Sequence, residues 1–576
     1  MSVSTPLSPV EDIKLASRHL RGSLVESLAD PLTGALRDDD TQLVKFHGIY
    51  QQDDRDLRNE RRQQRLEPAY QFMIRARVPG GICTAAQWLA MDRIACTHAN
   101  GTMRLTTRQT FQLHGVIKRR LKATVAEINH ALLDTLAACG DVNRNVMCTT
   151  LPSPASARTE VTAFAAALSD HLTPRTRAYH EIWLDQQPVI NTAEELEPIY
   201  GDTYLPRKFK IGLVVPPDND VDIYSQDLGF IAIIEHGQLT GFNVVAGGGM
   251  GMTHGEHATY PRLAEVLGYC DKTEVLKIAT AVVTTQRDFG DRTNRKHARL
   301  KYTVETMGLK AFQAEVETRA GVRFTPARDI HFTHTGDRFG WHVELDGTAQ
   351  FTLFVESGRV ADVGAWHALT GLREIANAAL ADFHLTPNQN VVLANIAASN
   401  RSRVTEILTQ HGLDTDRASQ TRQLALACVG FPTCGLAMAE SERYVADFVT
   451  KIDALFSDHG LPDAPVTLRI TGCPNGCARP YLAEIALVGK APGRYNLYLG
   501  AAFDGTRMNA PYREALNEIE ILEVLAPLVA RYAAERESGE HFGNYLVRAG
   551  HVPAILSGVA FAAAAQALAA GRGVAA

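Results

Sequence analysis

Four cysteines in the last third of the chain form two close pairs. Ala427-Cys428-Val-Gly-Phe-Pro-Thr-Cys434 sets two thiols six positions apart, and Thr471-Gly-Cys473-Pro-Asn-Gly-Cys477-Ala-Arg-Pro480 sets two more four apart. Thirty-eight residues, 435 to 472, separate the pairs. Four thiolates can hold a tetrahedral zinc ion or an iron–sulfur cluster. Zinc sites more often place two to four residues between paired thiols, so the five residues here point toward the cluster while leaving zinc open. Pro and Gly between the thiols bend the backbone so that side chains converge and amides can face sulfur. The other five cysteines, 83, 96, 139, 148 and 270, are scattered and read as small buried apolar residues.

A second group of residues offers positive charge. Arg75 and Arg77 alternate on a predicted strand, Asn143-Arg144-Asn145 follows a Gly-Asp turn, and Arg207-Lys208-Phe209-Lys210 puts three cations around one Phe. With Arg104 and Arg108 these residues can line an anion pocket. Arg suits bidentate oxyanion binding, whereas Lys can also give up a proton. Singly, each reads as a surface charge; their coincidence with the thiols makes a pocket attractive. The run Ala246-Gly-Gly-Gly-Met-Gly251 matches neither a dinucleotide nor a P-loop fingerprint. It reads as backbone approaching a large ligand or as a tight turn.

These residues need elements to hold them. Gln71–Val78 alternates as a strand, 84–99 has helical spacing, and 103–115 reads as another strand. The order returns about 280 residues later in 350–358, 365–380 and 383–393, where Leu105-Thr106-x-x-Gln109 matches Leu385-Thr386-x-x-Gln389. Two strand–helix–strand units imply duplication and a pseudo-twofold α+β architecture. Arg104 and Arg108 correspond to His384 and Asn388, the pattern expected if only one half holds an anion.

With 576 residues the chain is long enough for several domains, and 45% hydrophobic with 21% charged residues is ordinary for a globular protein. A net charge of −6 argues against general nucleic-acid binding. No secretory signal opens the sequence, and Val552–Ala570, mostly Ala, reads as a surface helix or frayed tail rather than a membrane span. A cytoplasmic protein without membrane or nucleic-acid partners is expected. The charged run 50–65 reads mainly as a solvated face.

The context Cys428-Val-Gly-Phe-Pro-Thr-Cys-Gly-Leu-Ala-Met-Ala-Glu-Ser-Glu-Arg443, followed by Cys473-x₃-Cys477, resembles the siroheme and 4Fe-4S signature of the sulfite/nitrite reductase family, in its sulfite branch. Phe46-His-Gly-Ile-Tyr-Gln-Gln-Asp-Asp-Arg55 is similar to the heme-carrying subunits of bacterial members that take electrons from NADPH. The resemblance runs from about 8 to about 552. It implies a three-domain siroheme reductase fold with internal pseudo-twofold duplication. The expected division is a polar arm (1–66), a first copy of the duplicated unit (67–140), a siroheme- and substrate-binding domain (141–340), a second copy packing on the first (341–415) and a cluster domain with an Ala-rich tail (416–576).

By the same resemblance Cys428, Cys434, Cys473 and Cys477 ligate the cluster, and Cys477 also bridges to the siroheme iron. Arg77, Arg144, Lys208 and Lys210 match the sulfite-binding residues. Arg104, Arg108, Gln112, His114 and Arg207 match residues that contact siroheme carboxylates. The implied reaction is the six-electron reduction of sulfite to sulfide in assimilatory sulfate reduction and cysteine biosynthesis. NADPH would act only indirectly, through a flavoprotein (FAD/FMN) alpha subunit. A ferredoxin-dependent sulfite reductase and a siroheme nitrite reductase are the alternatives within the family; a non-enzymatic metal scaffold is the alternative outside it.

Overall fold

The computed structural model describes residues 6–150, 155–175, 182–184, 187–190, 197–344, 346–413 and 418–571. Two five-stranded mixed-order sheets form the centre. One runs Ile49–Asp53, Tyr70–Ala76, Phe111–Val116, Met103–Leu105, Arg359–Val360; the other runs Gly340–Val343, Ala349–Leu353, Val391–Ile396, Asp382–Leu385, Ile82–Cys83. Each half lends a two-residue strand to the other's sheet: Arg359 pairs with Arg104, and Cys83 pairs with Phe383. The helices Ala85–His98 and Ala368–Asn377 pack on each other, and Trp88 stacks on Phe383 at 4.5 Å between ring centres. Thr84 opens the first helix with a capping box completed by Gln87.

The stretches 103–115 and 383–393, which read as single strands, are hairpins. In each, a threonine hydroxyl closes the turn. Thr106 Oγ1 accepts from the amides of Arg108 (3.2 Å) and Thr110 (3.3 Å), and Thr386 Oγ1 accepts from Asn388 (3.2 Å) and Asn390 (3.0 Å). Gln109 and Gln389 take left-handed φ values of 51° and 71°, which reverses the chain. The repeated Leu-Thr-x-x-Gln is therefore a turn motif.

The duplication extends beyond these units. Met147–Cys148, Ile211–Val214 and Leu228–Glu235 run parallel, followed by antiparallel Gln238–Ala246 and Glu265–Asp271. Leu426–Ala427, Leu468–Thr471 and Ile485–Ala491 run parallel, followed by antiparallel Arg494–Leu499 and Ala510–Leu516. A long helix follows each sheet, Val275–Phe289 and Glu518–Glu535. The parallel strands Ile211–Val214 and Leu468–Thr471 are buried throughout, as strands covered on both faces must be. Asp222 and Arg479 each take a left-handed φ (48° and 53°) before a short 3₁₀ turn, Ile223–Ser225 and Pro480–Leu482, so they occupy equivalent places in the two halves.

The N-terminal arm is bound tightly. Its strand Ile49–Asp53 edges the first sheet, and buried Lys14 pairs with Glu11 at 2.6 Å and donates to the Leu205 carbonyl at 2.8 Å. Of the charged run, Arg58–Gln63 forms a helix with no buried residue. Residues 558–569 form a helix whose Phe561 is buried against Tyr481 and Tyr498, so this part of the tail is packed rather than frayed. Among the described residues no helix is long and apolar enough to cross a membrane. Four of the scattered cysteines are buried; Cys96 is exposed, contrary to the expectation for it.

Candidate functional site

The first central sheet presents a polar row across four strands. Arg75 lies opposite Gln112, Gln112 opposite Arg104, and Arg104 opposite Arg359. Like charges facing across strands repel. Glu442 resolves the clash: it accepts from Arg104 Nε at 2.8 Å and from Arg359 Nε at 2.7 Å. Burial alone would raise the Glu442 carboxyl, but the two guanidiniums outweigh it and hold it below its usual range. His114 shares a strand face with Gln112 by period-2 alternation. It is buried, and neither ring nitrogen has a hydrogen-bond partner among the described residues. Burial, then Arg359, Arg104 and Arg75, push its imidazole well below its usual value, so it is neutral. Buried polar atoms are seldom left unpaired. A floor of neutral His, Gln and Arg with open nitrogens fits a ligand rich in carboxylates, as siroheme is.

The remaining cations arrive from the neighbouring parallel sheet. Asn143 bridges to Phe209, and the Arg144 amide donates to the Phe209 carbonyl at 3.0 Å. This pairing sets Arg144 beside the segment carrying Arg207, Lys208 and Lys210, at the entrance to two adjacent parallel strands. Burial, then Arg299, Arg144 and Arg207, push the Lys208 amine well below its usual value; Cys477 also acts on it, in the opposite direction. Burial, then Lys208, Arg108 and Arg299, do the same to Lys210. Arg108 donates to Gln226 Oε1 at 2.9 Å, and burial followed by Arg144 lowers it to about 9. Burial and Arg295 lower Arg207 to about 10.

Arg77 goes elsewhere. Its guanidinium donates to Ser169 Oγ at 3.1 Å and Thr173 Oγ1 at 2.6 Å, and it lies 3.9 Å from Asp134. It is not among the leading charges acting on Lys208 or Lys210. Arg75, two residues before it and within the strand Tyr70–Ala76, instead acts on Arg108 and His114 and donates to Cys139 Sγ at 3.3 Å.

The thiols sit at the carboxyl ends of two adjacent parallel strands, Cys428 after Leu426–Ala427 and Cys473 with Cys477 after Leu468–Thr471. The Gly472 amide donates to Cys428 Sγ at 3.2 Å. Burial, then Cys428 and Cys477, push Cys434 up to about 12; burial, then Cys477, Cys428 and Cys434, raise Cys473. The four sulfurs thus lie within reach of one another. Yet among the described residues no three His, Cys, Asp or Glu side chains close on a point that would hold a single metal ion. Cys477 is the exposed member, and its carbonyl accepts from Thr107 Oγ1 at 2.8 Å, which ties it to the turn carrying Arg108.

The glycine run packs against protein. A Cβ at Gly248 would lie 2.3 Å from the Tyr224 carbonyl oxygen, and one at Gly476 would lie 2.5 Å from the Met250 carbonyl oxygen. The Met252 amide donates to the Pro474 carbonyl at 2.8 Å. The run therefore supports the Cys473–Cys477 loop from beneath.

Sequence reasoning missed several contributors. Arg299, bidentate with buried Asp227 at 2.8–2.9 Å, has no local motif. Asp222 bridges Arg469 (2.7 Å) and Arg479 (2.5 Å), and Arg479 also donates to the carbonyls of Thr107 (2.8 Å) and Pro387 (3.1 Å). The matching place of Asp222 and Arg479 in the two halves was the available signal, but it needs the full extent of the duplication to be seen.

A doubled half-domain pair that brings two pairs of thiols and a group of buried cations together defines a class of cofactor-holding protein. Comparisons narrow it. Residues 63–131 and 342–411 match the nitrite/sulfite reductase ferredoxin-like half domain, and 164–324 match the nitrite and sulphite reductase 4Fe-4S domain. A Myxococcus xanthus protein named sulfite reductase [NADPH] hemoprotein beta-component is 59% identical over 95% of this chain and 97% of its own. A protein of the same name from Geobacillus kaustophilus is 56% identical over 96% and 98%. The solved structure of Mycobacterium tuberculosis NirA protein shares the fold, with a TM-score of 0.76 at 23% identity over 94% of this chain and 96% of that one. The chain belongs to the nitrite and sulfite reductase family.

Proposed function

We infer that this chain is the sulfite-reducing hemoprotein component of an NADPH-dependent sulfite reductase, working in the cytoplasm with a flavoprotein alpha subunit. It reduces sulfite to sulfide, a six-electron change, in sulfur assimilation. The observation that carries this reading is the meeting of two residue sets: the Cys477 carbonyl accepts from Thr107 Oγ1 at 2.8 Å, and the adjacent Arg108 donates to the Asn145 carbonyl next to Arg144. Cys428, Cys434, Cys473 and Cys477 would hold a 4Fe-4S cluster, with Cys477 shared with siroheme. When bound, these groups supply the electrons and the iron that side chains cannot.

The chain's own residues do the rest. Arg75, Arg104, Arg108, Gln112 and His114 would hold the tetrapyrrole through its carboxylates. Arg144, Lys208 and Lys210 face the oxyanion and offset negative charge as electrons arrive. The two lysines are the proton carriers, since guanidinium keeps its protons. Arg77, whose Nη1 is held by Ser169 and Thr173, completes the sulfite-binding set.

The test is a visible absorption spectrum of the purified chain, before and after sulfite under reducing conditions. Siroheme bands that shift with sulfite are expected. A colourless protein with tightly held zinc would overturn the reading.

A further inference from the structure

The N-terminal arm reaches the cationic wall. The 3₁₀ turn Val44–His47 seats Phe46 against Gly140 and 5.2 Å from the ring of Tyr204, and the Ala137 amide donates to the Phe46 carbonyl at 2.7 Å. Gly140 has φ +87°, and a Cβ there would lie 2.8 Å from the Phe46 ring. Lys45 is thereby fixed beside the segments that carry Arg144 and Arg207. Its ammonium donates to Gln42 Oε1 at 2.7 Å and stands 5.9 Å from the centre of the Tyr50 ring, while Arg144 donates to the Gly140 carbonyl at 3.3 Å.

Charge here is one-sided. Asp141 is the carboxylate that acts on Lys45, Arg144 and Arg207 alike, and Arg295 already clamps it at 2.8 and 3.0 Å, with Lys14 at 3.8 Å. Glu11 is taken by Lys14 at 2.6 Å and Arg292 at 2.5 Å. Lys45, Arg144 and Arg207 form no ion pair of their own among the described residues. Burial, then Arg295, lower the Lys45 amine to about 8. Arg144 and Arg207 act on both Lys45 and Lys208, and the Arg144 amide donates to the carbonyl of Phe209, between Lys208 and Lys210 in sequence, at 3.0 Å.

We propose that Lys45, beside Arg207, is an outer receiving cation for a small oxyanion of the sulfite class on its way past Arg144 to Lys208 and Lys210. The proposal rests on the oxyanion-reductase reading above. Sulfite binding is followed by titrating the visible spectrum of the full, cofactor-loaded chain, with association rates and steady-state reduction measured at low and raised salt. Lys45→Met should weaken sulfite binding about fivefold at low salt, mainly by slowing association, with the difference closing as salt rises. The kcat should stay within about twofold, siroheme content per chain should hold, and Lys45→Arg should restore affinity. Unchanged affinity and association in Lys45→Met overturns the proposal. So does loss of siroheme with unchanged affinity per loaded chain, which would assign the lysine to the tetrapyrrole. A parent chain with neither siroheme bands nor sulfite binding overturns the functional reading as well, whereas a normal parent beside an unchanged variant overturns this proposal alone.

Discussion

Asp222 is the point at which the two halves hold each other, and removing its charge should be costly. The carboxylate is buried and bridges Arg469 at 2.7 Å and Arg479 at 2.5 Å, both themselves buried. Burial alone would raise its pKa, but the two guanidiniums prevail and lower it. Asp222→Asn keeps the shape and leaves two buried arginines without their counter-charge. Breaking a buried pair from one side costs about 3–5 kcal/mol. Arg479 also holds the Thr107 and Pro387 carbonyls, so the loss loosens both hairpin turns and the loop that ends in Cys477. Unfolding entropy of about 2.1 cal/mol/K per residue converts about 4 kcal/mol into a fall of about 3 °C if the chain melts as one unit. If a unit of about 150 residues around the thiols melts first, the fall is about 12 °C. Calorimetry of parent and variant therefore reads both the cost and the size of the cooperative unit. The sign with pH is fixed by the lowered pKa. The pair's contribution is complete above about pH 4 and is lost as pH falls through the depressed folded value, so the two melting points should converge in acid. A variant melting within 1 °C of the parent at about pH 7 would refute the claim that this bridge fastens the halves.

Other consequences are simpler to state. Glu442→Gln leaves Arg104 facing Arg359 and should lower the urea midpoint by an amount worth about 2–3 kcal/mol; a Glu442→Gln, Arg359→Gln double variant should recover part of it. Asp220, pushed up to about 7 by burial first, must ionise at a cost, so stability should fall as pH rises from about 4 through about 7. Asp220→Asn should flatten that slope in equilibrium denaturation, by at most about 4 kcal/mol. Lys208→Met should cut sulfite turnover about a hundredfold while leaving the visible bands in place; loss of the bands instead would make the lysine a cofactor-holding residue.

Much of the site was legible because its chemistry is local in sequence. The paired thiols and the Arg207–Lys210 run announce themselves by type and spacing, and the Leu-Thr-x-x-Gln repeat marks the duplication. What spacing cannot carry is direction. Arg75 lies on the strand Tyr70–Ala76 and Arg77 just past its end, where Ser169 and Thr173 bind its guanidinium, while Arg75 acts on Arg108 and His114. Strand length was misread for a related reason. The apolar alternation on either side of Thr106–Thr110 is continuous, and the reversal depends on one threonine hydroxyl and one left-handed glutamine. Arg299 and Glu442 were invisible because each matters only through partners far away in sequence, Asp227 and Lys208 for the first, Arg104 and Arg359 for the second.

A duplicated fold offers two equivalent cradles, and the side chains decide which one takes an anion. The residue after the strand Leu426–Ala427 is Cys428, and after Met147–Cys148 it is Thr149. The sixth residue after Leu468–Thr471 is Cys477, and after Ile211–Val214 it is Asp220. Where one half presents thiols, the other closes on itself: Asp220 accepts from Thr149 Oγ1 at 2.8 Å and from the Thr150 amide at 3.1 Å. The hairpins diverge in the same way. Arg108 brings a cation to the first cradle. Asn388, in the matching place, donates to buried Asp337 at 2.9 Å, with Thr386 and Asn390 at 2.6 and 2.8 Å. A protein carboxylate thus lies in the second cradle, where the first leaves His114 without a partner. The second cradle supplies its own anion and has no need of a ligand; the first has nitrogen donors to spare and must find its carboxylates outside the chain.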